Sequence, residues 1–346
     1  MKTDEFLRQV TALPGVTGNE RAAAEFIAEA FRPFVDEVKI TALNSVIAHK
    51  KGNGPKVLIC AHLDEIGMMV SKIEKDGTLR MQSVGGVDPR VLPGMRVRVF
   101  ARDGMLMGVV GATPPHLMRE ADRKNNYTFE TLFVDLGLPA EEVEKKVCIG
   151  DTVCFESRYV ELKNGRVSTK TVDDRGCVAI MLRAAELLQK MHHEADLYFV
   201  STCQEEIGSY GAMTCAFDVD PDFGVAFDVC HAETPGAPRL YTSKIDSLVA
   251  SKGPFLHPYL VKKLETAAKE HGVQLQTAID PRWTSTDADE LSLVRNGVPS
   301  VLMSLPIKYM HTNVETFDMH ALMEGGRLLA HYLSEMDASW EEELWT

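Results

Sequence analysis

Five short stretches carry residues able to do chemistry together: AHLDE (61–65), VDDRG (172–176), CQEEIG (203–208), AFDVCHA (226–232) and MHTNVE (310–315). Each sets a His, Asp or Glu at or just beyond the end of a short apolar run. In open α/β sheets, ligands bind outside the carboxyl ends of the strands, so separate strand ends can gather His62, Glu205, Glu206, Asp228 and His311. Two imidazoles with several carboxylates and no thiolate form a donor set suited to Zn²⁺, Co²⁺ or Mn²⁺. One carboxylate can bridge two such ions about 3.5 to 4 Å apart, and paired ions of this kind serve hydrolysis. Asp173 is the natural bridge, because a predicted helix begins directly after it and fixes its position.

Taken singly, most of these residues have plainer explanations. Asp173 alone reads as a helix N-cap, the Glu205–Glu206 pair as a solvated loop, and each His as a hydrogen-bonded core or surface residue. Asp228 is harder to dismiss, since a carboxylate inside the apolar run VAFDVC needs a partner. A free carboxylate beside a metal-bound water can take its proton and later hand it to a leaving amine. A carboxylate tied to an ion is a poor base, so adjacent glutamates can divide the roles. Spacing alone leaves Glu205 and Glu206 symmetric.

The elements that must position these residues fall into two textures. Residues 3 to 32 read as one or two helices broken at LPGVTGNE, and VKITAL (38–43) and SVIAHK (45–50) read as strands joined at Asn44. The run 57–61 ends at His62. From about residue 71 to 159, short alternating runs separated by Gly, Pro and Asp predict a small barrel or sandwich, with a strand and helix within YTFETLFVDLGLPAEEVEKKV. Strand–helix alternation then resumes: a helix over 176–191, a strand running into CQEEIG, a helix in GSYGAMTCAF, and a buried strand FGVAFDVCHA. Further helices are predicted over HPYLVKKLETAAKEHG, DADELSLVRNG and 318–336, with a strand VPSVLMSLPIKYMHT leading to His311. The expected fold is therefore α/β, a mixed central sheet with helices on both faces. Residues 1–70 and 160–346 would form one discontinuous domain, interrupted by an all-β barrel-like insert over 71–159.

Composition narrows the function. A chain of 346 residues, 45% hydrophobic, can bury a large core. Its formal charge of −13 and scattered lysines and arginines argue against nucleic-acid binding. No apolar run is long enough to span a membrane, and the charged N-terminus MKTDEFLRQV argues against a secretory signal. Seven cysteines without a CxxC pair read as reduced buried thiols, so a cytoplasmic location is expected.

In their order, AHLDEIG, VDDRG, CQEEIG, FDV and HTNVE closely resemble the motifs of the tetrahedral aminopeptidase and glutamyl aminopeptidase family of dinuclear metallopeptidases, some members of which have been labelled cellulases. The resemblance runs along most of the chain and includes GATPPHL (111–117) in the insert. It implies a zinc-peptidase/phosphorylase-like fold holding two divalent ions, Zn²⁺ or alternatively Co²⁺ or Mn²⁺. His62 and Asp228 would hold one ion, Glu206 and His311 the other, and Asp173 would bridge them. Glu205 would be the general base acting on a bridging hydroxide, and Asp64 would orient His62. Short peptides would be the substrates, and the insert would assemble the chain into a homo-oligomer, up to a tetrahedral dodecamer.

Two departures from the family pattern remove no ligand, and the first lies in a segment near the substrate in relatives. TSTDA (284–288) stands where the family often has Gly-Gly-Thr-Asp-Ala, and Thr312-Asn313 replaces the usual Pro or Ser-Pro after the last His. Asp287, Lys252 and Arg282 are candidate substrate contacts. His231 is a candidate for supporting the ligands, His116 reads as a structural or interface residue of the insert, and His192–His193 as a helix cap. The alternatives are an N-acyl amino acid amidohydrolase, which the same metal core would suit, and a catalytically silent peptide-binding scaffold. A cellulase would need two unmetallated carboxylates flanking a sugar groove, and gives the clustered His residues no role.

Overall fold

The computed structural model describes residues 1–156 and 158–339. Helices α1 (Thr3–Val10) and α2 (Arg21–Phe31) precede β1 (Glu37–Ile40), β2 (Val46–Lys50) and β3 (Lys56–His62). Then come β4 (Gly67–Ile73), β5 (Leu79–Val84), β6 (Arg96–Ala101), β7 (Gly104–Ala112), β8 (Leu132–Asp135), α3 (Ala140–Lys146) and β9 (Thr152–Phe155). Short strands β10 (Val160–Glu161) and β11 (Arg166–Thr169) lead into α4 (Val172–Leu187), β12 (Asp196–Thr202), α5 (Tyr210–Val219) and β13 (Phe223–His231). The chain continues through β14 (Leu248–Lys252), α6 (Pro258–Glu270), β15 (Leu275–Ile279), α7 (Asp287–Leu291), β16 (Ser300–Ile307), β17 (Glu315–Asp318) and α8 (Met319–Ser334).

Eight strands form one mixed sheet in the order β1-β2-β12-β3-β13-β16-β14-β15. Its four central strands, β12, β3, β13 and β16, are mutually parallel, while β2 and β14 run antiparallel to their neighbours in that group. Val57 to Ala61 of β3 are fully buried, so side chains on both faces of the sheet are covered. Helices supply that cover: α4 packs on α8 and α1, and α5 packs on α7. A strand covered on both faces reads as a continuous apolar run rather than an alternating one. The expected α/β class with helices on both faces is the fold observed.

Strands β4, β5, β8, β7, β6 and β9 close into a barrel. Its interior, including Met68, Val70, Leu79, Val97, Val134 and Phe155, is a core separate from that of the sheet. Barrel strands occupy 67–155, so a boundary after residue 70 falls inside β4. GMMV continues the apolar texture of β3, which hides that break in the sequence. A third, three-stranded sheet β10-β11-β17 was not expected, and it is the element that brings Glu315 beside Thr169.

Candidate metal centre

Parallel alignment puts the carboxyl ends of β3, β12, β13 and β16 at one edge of the sheet. His62, the last residue of β3, pairs in register with Thr202 at the end of β12, after which Glu205 and Glu206 begin a short 3-10 turn. Asp228 lies within β13, opposite Ser304 of β16, and His311 follows the end of β16. Asp173 sits in the first turn of α4, where Asp173 and Asp174 depart from helical geometry.

The two imidazoles converge on Asp173. Nε2 of His62 lies 3.0 Å from Oδ1, and Nε2 of His311 lies 3.1 Å from Oδ2. His311 Nε2 also lies 3.5 Å from Glu206 Oε1, and His62 Nε2 lies 3.9 Å from Glu205 Oε2. Each ring directs its other nitrogen to a backbone carbonyl: His62 Nδ1 lies 3.2 Å from the Asp64 carbonyl, and His311 Nδ1 3.2 Å from that of Gly86. A proton on Nδ1 donated to that carbonyl leaves Nε2 as the lone-pair donor facing the carboxylates, the arrangement that metal-binding histidines need.

Two groups of donor atoms lie close enough to share an ion: His62 with Asp173 and Glu206, and His62 with Asp174 and Asp228. Asp174 is the member that sequence reasoning passed over. Neither of its oxygens has a hydrogen-bond partner among the described residues. Glu206 Oε1 likewise lacks a hydrogen-bond donor. Buried carboxylates without donors are costly unless positive charge compensates them.

The site's electrostatics express the same demand. Burial pushes Glu205 up to about 9; His62 opposes the rise, and the charges of Asp287, Glu206 and Asp64 add to it. Burial also raises Asp228 and Asp174 well above the usual carboxylate range, and raises Glu206. Asp173 goes the other way. Burial would raise it, but the imidazoles of His311 and His62 outweigh that and hold it well below the ordinary range. Against the opposing effect of burial, Asp173 and Glu206 push His311 up to about 11. Such a cluster attracts cations, and its His-and-carboxylate donors fit divalent ions of the zinc and cobalt class.

Two carboxylates hold the frame. Asp64 is fully buried and accepts the amide of Glu205 at 3.1 Å on Oδ1, and the amide of Glu206 at 3.3 Å and the Thr17 hydroxyl at 2.7 Å on Oδ2. Its nearer oxygen stands 3.6 Å from His62 Nδ1, so its carboxylate acts mainly on the glutamate turn and its carbonyl on the imidazole. Glu315, to which no role was given in the sequence reading, accepts the amides of Val172 at 2.7 Å, Asp173 at 3.1 Å and His311 at 2.9 Å.

Of the candidate substrate residues, the structure brings in Asp287 alone. Its Oδ2 accepts the Thr202 hydroxyl at 2.5 Å, and burial raises it to about 6, with His62 and Asp64 near. Lys252 pairs with Glu265 at 2.7 Å. It ends β14, which runs antiparallel to β16, so it lies toward the opposite edge of the sheet from the cluster. Arg282 is exposed on the loop after β15, a strand parallel to β14. His231 is exposed at the end of β13, His116 lies in a 3-10 turn beyond β7, and His192 is exposed after α4. In the TSTDA departure, Ser285 takes a left-handed φ of 57°, where glycine would be unstrained, and Asp289 accepts the amides of Thr284 and Ser285.

Comparisons with known proteins place the chain in a family. Residues 44–328 match the model of the M42 glutamyl aminopeptidase family. The lysyl aminopeptidase of Pyrococcus furiosus is 37% identical over 337 residues, covering 96% of this chain and 97% of that protein. A TET aminopeptidase from the marine sediment archaeon Thaumarchaeota archaeon SCGC AB-539-E09 superposes with a TM-score of 0.95 at 29% identity, over 99% of this chain and all of that one. The TET1 peptidase of Pyrococcus horikoshii, described as assembling into a tetrahedron or a large octahedral shell, superposes with a TM-score of 0.86 at 29% identity, over 96% of this chain and all of that one. The motifs, the fold and the family match lead to one statement: the chain belongs to the M42 glutamyl aminopeptidase family.

Proposed function

We propose that the protein is a dinuclear metal-dependent aminopeptidase that removes N-terminal residues from short peptides, with Glu205 as its general base. The observation that carries this reading is the convergence of two imidazole Nε2 atoms on the two oxygens of Asp173, beside buried carboxylates that lack donors. His62, Asp173 and Asp228 would hold one divalent ion, with Asp174 against them. Asp173, Glu206 and His311 would hold the second. Bound ions supply Lewis-acid polarisation of the scissile carbonyl and acidify a water at neutral pH.

The chain's own groups do the rest. Glu205, which belongs to neither proposed ligand set, would receive the proton of the attacking water and deliver it to the departing amine. Asp64 holds the Glu205 and Glu206 amides and so fixes the turn that carries both side chains. The peptide's free amine would be recognised within this acidic pocket, with Asp287 at its wall.

The expected result on aminoacyl p-nitroanilides is turnover that disappears on chelation and returns when Zn²⁺, Co²⁺ or Mn²⁺ is restored to the metal-free protein. N-acetylated analogues should not be cleaved. Hydrolysis of the acetylated series in preference to the free amines would replace this reading with an amidohydrolase, and two bound ions without hydrolysis of either would leave a silent scaffold.

The barrel is proposed as the module through which copies of the chain assemble. Met69, Met105, Met107 and Val109 expose apolar surface on its strands, and the Pyrococcus horikoshii relative forms closed shells. Light scattering coupled to gel filtration should give a mass of many chains, up to twelve; a stable monomer would end the assembly claim. We assign the protein to the cytoplasm on its seven unpaired cysteines, in keeping with a reducing compartment. No helix among the described residues is long and apolar enough to cross a membrane.

A further inference from the structure

The two imidazoles of the cluster are held very differently. His62 closes a central strand, and its side chain is 2% exposed. His311 lies on the loop between β16 and β17, its side chain is 31% exposed, and its backbone has a left-handed φ of 62°. For a residue with a Cβ, that conformation is strained and persists only when the surroundings impose it. Two contacts impose it here. Glu315 Oε1 accepts the His311 amide, while Oε2 of the same carboxylate accepts the amides of Val172 and Asp173. The barrel supplies the second contact. The Gly86 carbonyl faces His311 Nδ1, and the Gly86 backbone passes so close that an added Cβ would lie 2.8 Å from that nitrogen.

Given the metal-dependent reading above, on which this inference rests, we propose that Glu315 and Gly86 form a cradle that sets His311 against the bridging Asp173. Glu315 is then a positioning residue: one buried carboxylate ties the bridge and the second-site imidazole into a fixed separation, and the barrel backbone fixes the ring's rotation. The first-site donors His62 and Asp228 receive nothing from either partner, since β3 and β13 hold them. The first ion shares only Asp173 with the cradle, whereas the second takes both Asp173 and His311 from it, so the cradle acts chiefly on the second ion.

Titrating the metal-free full-length protein with Zn²⁺ against a chromophoric chelator, and recording the absorption of Co²⁺ added stepwise, tests this without reference to activity. Glu315→Gln keeps the shape but replaces one accepting oxygen by an NH₂ group that faces an amide N–H. Gly86→Ala leaves Glu315 untouched and crowds the ring directly. Both variants are expected to bind a first ion with affinity within about threefold of the unmodified protein and a second ion about 10–100-fold more weakly, the usual loss when a ligand's orienting partner is removed. The Co²⁺ spectrum should change at the second equivalent and not at the first. Two ions bound as tightly as before would overturn the proposal. Equal weakening of both ions, with a lowered melting point of the metal-free protein, would overturn it too, by making the role one of folding. Should Glu315→Gln not fold, Gly86→Ala decides the barrel half of the cradle, and Glu315 reverts to a core residue. If the unmodified protein itself binds no divalent ion, the metal-dependent reading fails, a result distinct from a cradle that makes no difference.

Discussion

Glu205→Gln is expected to retain its metal content and to lose about 10²–10⁴-fold in kcat, the range that general-base catalysis supplies. The substitution is nearly isosteric, and the Glu205 amide stays bound to Asp64 Oδ1 at 3.1 Å, so the turn carrying Glu206 keeps its place. The side chain has few other ties. Its Oε1 lies 3.4 Å from the Ser209 hydroxyl and its Oε2 3.9 Å from His62 Nε2. A carboxamide can keep such contacts and cannot accept a proton. Initial rates on an aminoacyl p-nitroanilide, with metal measured per chain on the same sample, check both halves. Ordinary turnover would remove Glu205 from the role of base; lost metal would make it a ligand instead.

Asp173→Asn is expected to be as damaging by another route. Each oxygen of Asp173 faces a different imidazole, at 3.0 Å and 3.1 Å, and Asn must turn a hydrogen-bearing nitrogen toward one of them. Whichever way it turns, one site loses an anionic donor and the two sites lose their common member. Occupancy should fall below two ions per chain. With it should go several kcal/mol of transition-state stabilisation, or at least about 10³-fold in kcat/KM. The Val172 and Asp173 amides remain free to donate to Glu315, so the start of α4 should survive. Elemental analysis after gel filtration gives the stoichiometry. Two ions per chain in the Asn variant would mean that Asp173 does not bridge.

How far the sequence foretold this site depends on what each residue needed in order to be placed. His62, Glu206, Asp228 and His311 were legible because an apolar run ends at or contains each, and parallel strands align such ends. Asp174 was not, since an acidic pair gives no sign of which member turns toward which neighbour; the backbone geometry at the start of α4 decides that. Glu315 was quoted in its motif but given no task, because its partners are amides at 172, 173 and 311. It meets them through β17 pairing with β11, both short and largely polar strands that carry little periodic signal. Lys252 and Arg282 lie away from the cluster for a topological reason: local sequence does not reveal that β14 runs antiparallel to β16. The barrel was readable from its alternation, except at β4, whose apolar start merges with the strand before it.

The order of strands in the sheet also sets a timetable. β3 is flanked by β12 and β13, and both are encoded beyond the entire barrel. A chain leaving the ribosome at about 5–20 residues per second therefore carries the apolar run Val57–Ala61 without either neighbour for on the order of ten seconds. In that interval the barrel, whose strands and core are contiguous in sequence, can close on its own. The sheet must wait, because its central strand is made early and the strands that cover its edges are made late. Nascent-chain survival thus rests on whatever shields β3 until His231 has been synthesised.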